Sequence, residues 1–245
     1  MNHRPSPCIR ISRLIAIAAI LTLGIAGIVS YGTHAGAAAN RPDPEGTMVS
    51  NGRDVKIIDG DTIQINGQIL DIAGIDAPEL GQQCQHNGSF WDCGMSSAMQ
   101  LRKYFAMAPF PVRCWPGHED ENTPTRDIPI AECGIGDRDI GAAMVIDGEA
   151  LPVPEYSHHY DQLSAEAANA EIGIHGGKIV PPADWRNGTR LKGEENRCLY
   201  IEDGKGHYLS ALDPAFEELA KAGHANICSD EEAREKGLSY FPASP

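Results

Sequence analysis

The chain has 245 residues, with 20 Lys and Arg against 34 Asp and Glu, a formal net charge of −14. That balance argues against the basic stripe on which sequence-independent nucleic-acid binding depends, and it suits a solvated, soluble surface. The length supports one domain, or two small ones, once a leader is set aside.

Residues 1–39 hold Arg4, Arg10 and Arg13 and no acid, then the apolar run from Leu14 to Val29, then small residues. A basic start, an apolar middle and an Ala-rich end read as an export signal cut near Ala35 to Ala39. The alternative is an uncleaved inner-membrane anchor, for which the run is short against the roughly 20 apolar residues a span needs. The expected location is therefore periplasmic or secreted, with a membrane association only if this segment is retained. Cys8 leaves with the leader. Cys84, Cys93, Cys114, Cys133, Cys198 and Cys228 remain, and an oxidising compartment predicts three disulfides among them. The simplest arrangement pairs sequence neighbours: 84 with 93, 114 with 133, 198 with 228.

Residues 40–52 are turn-rich and read as a linker. Residues 54–76 contain three strand candidates. Ile63 and Ile65 alternate with polar Thr62 and Gln64, Asn66-Gly67 is a hairpin turn because both residues tolerate positive φ, and Asp59-Gly60 marks the turn before it. Ala98, Leu101 and Phe105 recur at helical spacing in 94–107. "FPVRCW" and "DIPIAECGI" are two further strands, and 139–151 and 159–173 are helices closed by Gly148 and Gly173. The expectation is an α+β chain, mainly β with helices, in which 53–178 form a five-stranded OB-fold barrel with three helices. Residues 179–196, with two prolines, read as a second linker, and 197–245 as a small C-terminal α/β module. There Asp213-Pro214 is expected to open a helix closed by Gly223, and "SDEE" (229–232) is a capping box for a last helix closed by Gly237. Cys198, His207, His224 and Cys228 are ligand types of a zinc site, but their spacing matches no tight motif, and a disulfide-stapled hairpin is the favoured reading.

"IDGDTI" and "AGIDAPELGQQC", followed in order by "FWDCG", "VRC", "IAEC", "MVIDGEA", "YSHHYDQLSAEA" and "GIHGG…PADWR", resemble the blocks of the staphylococcal-nuclease (thermonuclease) family over roughly residues 52–186. The C-terminal module resembles one appended to some exported members. The resemblance implies the OB barrel and Ca²⁺-dependent cleavage of phosphodiester bonds. It assigns Asp61 and Asp76 as metal carboxylates, the backbone carbonyl of Ala77 as a third ligand, and Glu79 as the carboxylate that positions or activates the attacking water. It also calls for two arginines on the phosphate. Their positions are Asp71 and Ile128 here.

That departure bears on catalysis. An arginine at a phosphoryl centre is worth roughly 10³–10⁵ in rate. Placing an aspartate there also reverses a charge, worth about 3 kcal/mol per unit at ~6 Å and an effective dielectric of ~20. Arg126, two residues before Ile128 and so on the same strand face, is a weak surrogate; Arg113, beside Cys114, fits a barrel exterior better. Three readings stay open. The chain is a degenerate nuclease-fold protein that keeps an acidic Ca²⁺ pocket, an active exported endonuclease using a surrogate arginine, or a structural or partner-binding envelope module. The net charge makes a nucleic-acid partner doubtful. An envelope protein or polysaccharide partner is conceivable, since some exported homologues are associated with exopolysaccharide synthesis.

Overall fold

A two-residue turn at Asn66-Gly67, with φ of 51° and 84°, closes the hairpin of residues 62–65 and 68–72. It fixes the register of these two strands, and because the side-chain period of a strand is two, it also fixes which of their residues face the core. In the computed structural model, which describes residues 43–117, 128–154, 156 and 158–240, the strands are β1 (Met48–Ser50), β2 (Lys56–Ile57), β3 (Thr62–Ile65), β4 (Gln68–Ile72) and β5 (Ile75–Asp76). They continue as β6 (Cys84–His86), β7 (Ser89–Trp91), β8 (Val112–Pro116), β9 (Ile130–Ile135), β10 (Arg138–Asp139) and β11 (Leu151–Pro152). The C-terminal part adds β12 (Tyr200–Glu202), β13 (His207–Ser210), β14 (Asn226–Ile227) and β15 (Ser239–Tyr240). The α-helices are α1 (Cys93–Ala106), α2 (Ile140–Ile146), α3 (Asp161–Asn169), α4 (Pro182–Arg186), α5 (Phe216–Ala222) and α6 (Asp230–Glu235). The fold is α+β. The export signal, the first residues of the linker and Arg126 lie outside the described residues. Within the described residues no helix is long and apolar enough to cross a membrane.

The principal sheet runs β1-β8-β9-β4-β3-β2, with β10 on β9, and its hydrogen-bonded path is open. β4 and β9 pair in parallel, and the other pairs in that sheet are antiparallel. A second sheet runs β14-β12-β13-β15. One buried cluster joins them. Ile57, Ile63, Ile65, Leu70 and Ile72 from the first sheet, Leu101 and Phe105 from α1, and Tyr200, Tyr208, Ile227 and Tyr240 from the second all belong to it. Polar bonds cross the same boundary: the Tyr240 hydroxyl donates to the Ile57 carbonyl at 3.3 Å and the Tyr200 hydroxyl to Asp59 Oδ2 at 3.4 Å.

All three disulfides form with the expected pairing, Cys84–Cys93, Cys114–Cys133 and Cys198–Cys228. Cys114 and Cys133 face each other in the β8–β9 register, and Cys198–Cys228 ties the chain just before β12 to the end of its partner β14. Two helix starts differ from expectation. Asp213 does not cap α5; its carboxylate accepts from the Ala215 amide at 2.8 Å in a turn, and the helix begins at Phe216. Ser229 does cap α6, accepting from the Glu232 amide at 3.0 Å, but the Glu232 carboxylate reaches the Cys228 amide, one residue beyond the usual partner. The segment read as a second linker, 179–196, contains α4, started by Pro181-Pro182.

Candidate functional site

Asp59 makes the turn that carries the site. Its Oδ1 accepts from the amides of Asp61 and Thr62, at 3.2 and 2.8 Å, so the turn holds its own shape through a side chain. Gly60 is required there, since a Cβ would collide with Ser97 Oγ and the Ala77 methyl. Asp61 Oδ2 then accepts from the Ala77 amide at 2.7 Å, which draws the segment 76–79 against the turn. Thr62 and Asp71 face each other in the β3–β4 register, and the Thr62 hydroxyl donates to Asp71 Oδ1 at 2.9 Å.

Asp59, Asp61, Asp71, Asp76, Glu79 and Ile128 line one cavity of about 250 Å³ together with Arg186, Ser229, Asp230, Glu231 and Arg234. The residues assigned by resemblance are therefore gathered, including both positions where arginines are expected. Ala77 meets Asp61 through its amide. Arg126 lies outside the described residues, and Arg113 pairs with Asp43 at 3.3 Å on the exterior.

Two arginines occupy the cavity after all, from parts of the chain remote in sequence. Arg186 Nη1, at the end of α4, donates to Asp76 Oδ1 at 2.9 Å and, more closely, to Glu79 Oε1. Arg234 Nε, on α6, donates to Asp230 Oδ2 at 2.8 Å, and the charge of Asp71 also acts on it. Asp230 in turn accepts from the buried Tyr208 hydroxyl.

The electrostatics follow from crowding. Burial, then the charges of Asp59, Asp71, Asp76 and Glu79, hold the Asp61 carboxyl well above its ordinary range. Burial and Asp230 raise Asp59. Burial and Asp59 push Glu79 up to about 8, against the lowering effect of Arg186. Burial disfavours the Arg186 charge, but Glu79 and Asp76 outweigh it and keep the guanidinium protonated. Like charges that cannot all ionise together are the expected state of such a group.

Every potential ligand here is an oxygen, which suits a hard cation such as Ca²⁺. The arrangement is less ready: among the described residues no group of His, Cys, Asp and Glu converges as a metal site, and Asp76 is held by Arg186. In the C-terminal module, Cys198 and Cys228 are joined to each other, so the zinc alternative loses both of its thiolates.

No family model matches the chain. The succinoglycan biosynthesis protein ExoI of Rhizobium meliloti (strain 1021) is similar to it, 41% identical over 59 residues. That stretch covers 24% of this chain and 30% of the relative, so the chain matches less than a third of that protein's length.

Arg186, Asp230, Glu231 and Arg234 are the charged site residues that sequence reasoning missed. The available signals were local. "PADWR" carries a tryptophan, Trp185, which is 2% exposed and donates to Glu194 at 2.6 Å, fixing the turn that presents Arg186. The Ser229 cap and the i,i+4 spacing of Asp230 and Arg234 place that arginine on one helix face.

Proposed function

We propose that the chain is a thermonuclease-like protein of an exported, disulfide-bonded type, whose acidic pocket takes a divalent cation and does not cleave nucleic acid efficiently. One observation carries this reading: seven carboxylates share the cavity with two guanidiniums, and both guanidiniums are already engaged by carboxylates. A phosphodiester entering such a site meets net repulsion, whereas catalysis of its cleavage needs fixed, available positive donors. The OB-like barrel is part of the same proposal. Its support is the parallel β4–β9 pair and the placement of β1 and β2, consecutive in the chain, at the two ends of the sheet path.

Asp61 and Asp76, with the Ala77 carbonyl, would hold the cation, which would offset the carboxylate repulsion. Arg186 then has to give up Asp76 and keep Glu79. The similarity to a succinoglycan biosynthesis protein supports a role in envelope or extracellular polysaccharide production rather than in nucleic-acid turnover.

The second reading, an active Ca²⁺-dependent endonuclease, draws on the position of Arg186 between Asp76 and Glu79. Calorimetric titration with Ca²⁺ and a zymogram on DNA and RNA decide between them. Binding without cleavage supports the proposal. Cleavage abolished by Arg186→Gln establishes the second reading. Neither binding nor cleavage leaves the acidic cavity a structural ion-pair network and overturns both.

A further inference from the structure

A second cavity of about 410 Å³ has the opposite character. Gly52, Arg53, Val55, Lys56 and Ile57 form one wall, Arg102, Phe105 and Ala106 of α1 another, and Leu212, Asp213, Pro214 and Tyr240 the third. Its floor is apolar: Val55, Ile57, Phe105 and Tyr240 are buried. Three cationic side chains line it in a chain of formal charge −14. None of the three makes an ion pair among the described residues. The Arg102 guanidinium is oriented through Nη1, which donates to the Leu212 carbonyl at 3.0 Å and leaves its other N–H groups available. The one acid in the lining, Asp213, is turned to the Ala215 amide.

We propose that this cleft binds a small anionic molecule, a carboxylate or phosphate carried on a body with one apolar face such as a sugar ring. The size lies in the range of small-molecule sites. The charges suit a planar or tetrahedral anion, because Arg and Lys together supply several charge-assisted donors around one point. A nucleic-acid strand is a poor fit, because the acidic chain repels an extended polyanion. The lining comes from both sheets' surroundings, so a ligand bridges them and should raise the melting temperature. This inference stands independently of the acidic pocket and of the proposed function.

The test uses the full chain with EDTA present, so that no cation mediates binding, and three probes of similar body: glucose, glucuronate and glucose 6-phosphate at matched ionic strength. Isothermal titration and thermal shift are read for the wild type and for Arg53→Glu, Lys56→Gln and Arg102→Gln. At least one anionic probe should bind while glucose does not, and each variant should weaken binding by roughly tenfold, the value of one charge-assisted hydrogen bond. Binding of glucuronate alone identifies a carboxylated ligand, and of glucose 6-phosphate alone a phosphorylated one. Arg53 is exposed, so its variant tests the charge with the fold intact. No binding by either anion, equal binding of glucose, or binding unchanged in Arg53→Glu overturns the proposal.

Discussion

The two cavities lie against the same pair of sheets and use the same C-terminal module as a wall, yet they handle charge in opposite ways. In the acidic one, cations are scarce and spoken for: Arg186 holds Asp76 and Glu79, and Arg234 holds Asp230. In the basic one, Arg53, Lys56 and Arg102 have no acidic partner among the described residues. Asp59 and Asp230 are buried and Asp61, Asp71, Asp76 and Glu79 are half-buried, which raises the cost of every unpaired charge there, whereas Arg53 and Arg102 stand exposed. A buried like-charge cluster must recruit counter-ions from the chain itself or from solution; an exposed cationic rim can wait for a ligand. The comparison separates a site whose first partner is internal from one whose partner is external.

The most forceful way to break this comparison is to remove the wall common to both. The Cys198–Cys228 bridge closes a loop of 30 residues, and a loop of that size is worth about 3–4 kcal/mol through the unfolded state. The double change Cys198→Ser with Cys228→Ser should lower the melting temperature by roughly 10 °C, and calorimetry will show it. If β12–β15 also loosen, ligand response should fall at both cavities together. A variant that melts as the wild type does would mean that Tyr200, Tyr208 and Tyr240 anchor the module without the bridge.

Next comes the internal counter-ion. Arg186→Gln leaves Asp76 and Glu79, 19% and 12% exposed, without their guanidinium. Breaking a fully buried pair costs several kcal/mol; with Arg186 itself 37% exposed, a loss of about 1–3 kcal/mol is expected in denaturant titration without metal. Millimolar Ca²⁺ should then stabilise the variant more than the wild type, because no arginine has to be displaced from Asp76. Equal stability with an equal Ca²⁺ response would show that the pair contributes nothing and that the acidic cavity does not rely on an internal partner.

How far the sequence could lead to these sites depends on chain distance. The Asn66-Gly67 turn, the Ser229 cap, the closing glycines 223 and 237 and the three disulfides are local chemistry, and each stands where the residues predict. The carboxylates on the turn and β4–β5 are close in sequence and were legible as one group. Arg186 lies 110 positions from Asp76, in a stretch whose prolines suggested a linker, and no periodicity connects the two. Arg234 falls inside the last helix that the cap at Ser229 and Gly237 delimit, but nothing in the pattern indicates which face of the sheet that helix covers. The basic cleft was missed for the same reason: Arg53, Arg102 and Asp213 come from three separate elements that only tertiary packing brings together.

The smallest effect concerns pH, and it provides an internal control on the acidic cavity. Glu149 lies after α2, against α1 and outside both cavities. Its Oε1 accepts from the Ser96 hydroxyl at 3.0 Å, while Oε2 is buried without a hydrogen-bond partner. Burial, then the charge of Asp147, push its carboxyl up to about 7 from an ordinary 4.5, with Ser96 pulling the other way. Between those values the folded state binds more protons than the unfolded one, so stability falls as pH rises from 4.5 through 7 and levels off above. Glu149→Gln removes that part of the fall, since the amide keeps a hydrogen-bonding head and never ionises. Glu79, raised to about 8 by burial and Asp59, contributes a fall of the same sign that extends to higher pH. Denaturation curves at pH 5, 7 and 9 should therefore show a flatter profile below 7 in Glu149→Gln and an unchanged decline between 7 and 9. Added Ca²⁺ should abolish the upper decline if the cation takes over the carboxylate charge, while leaving the Glu149 step in the wild type untouched. A profile flat from 5 to 9 in Glu149→Gln without metal would mean that Arg186 already neutralises Glu79, and that the acidic cavity carries no strain for a cation to relieve.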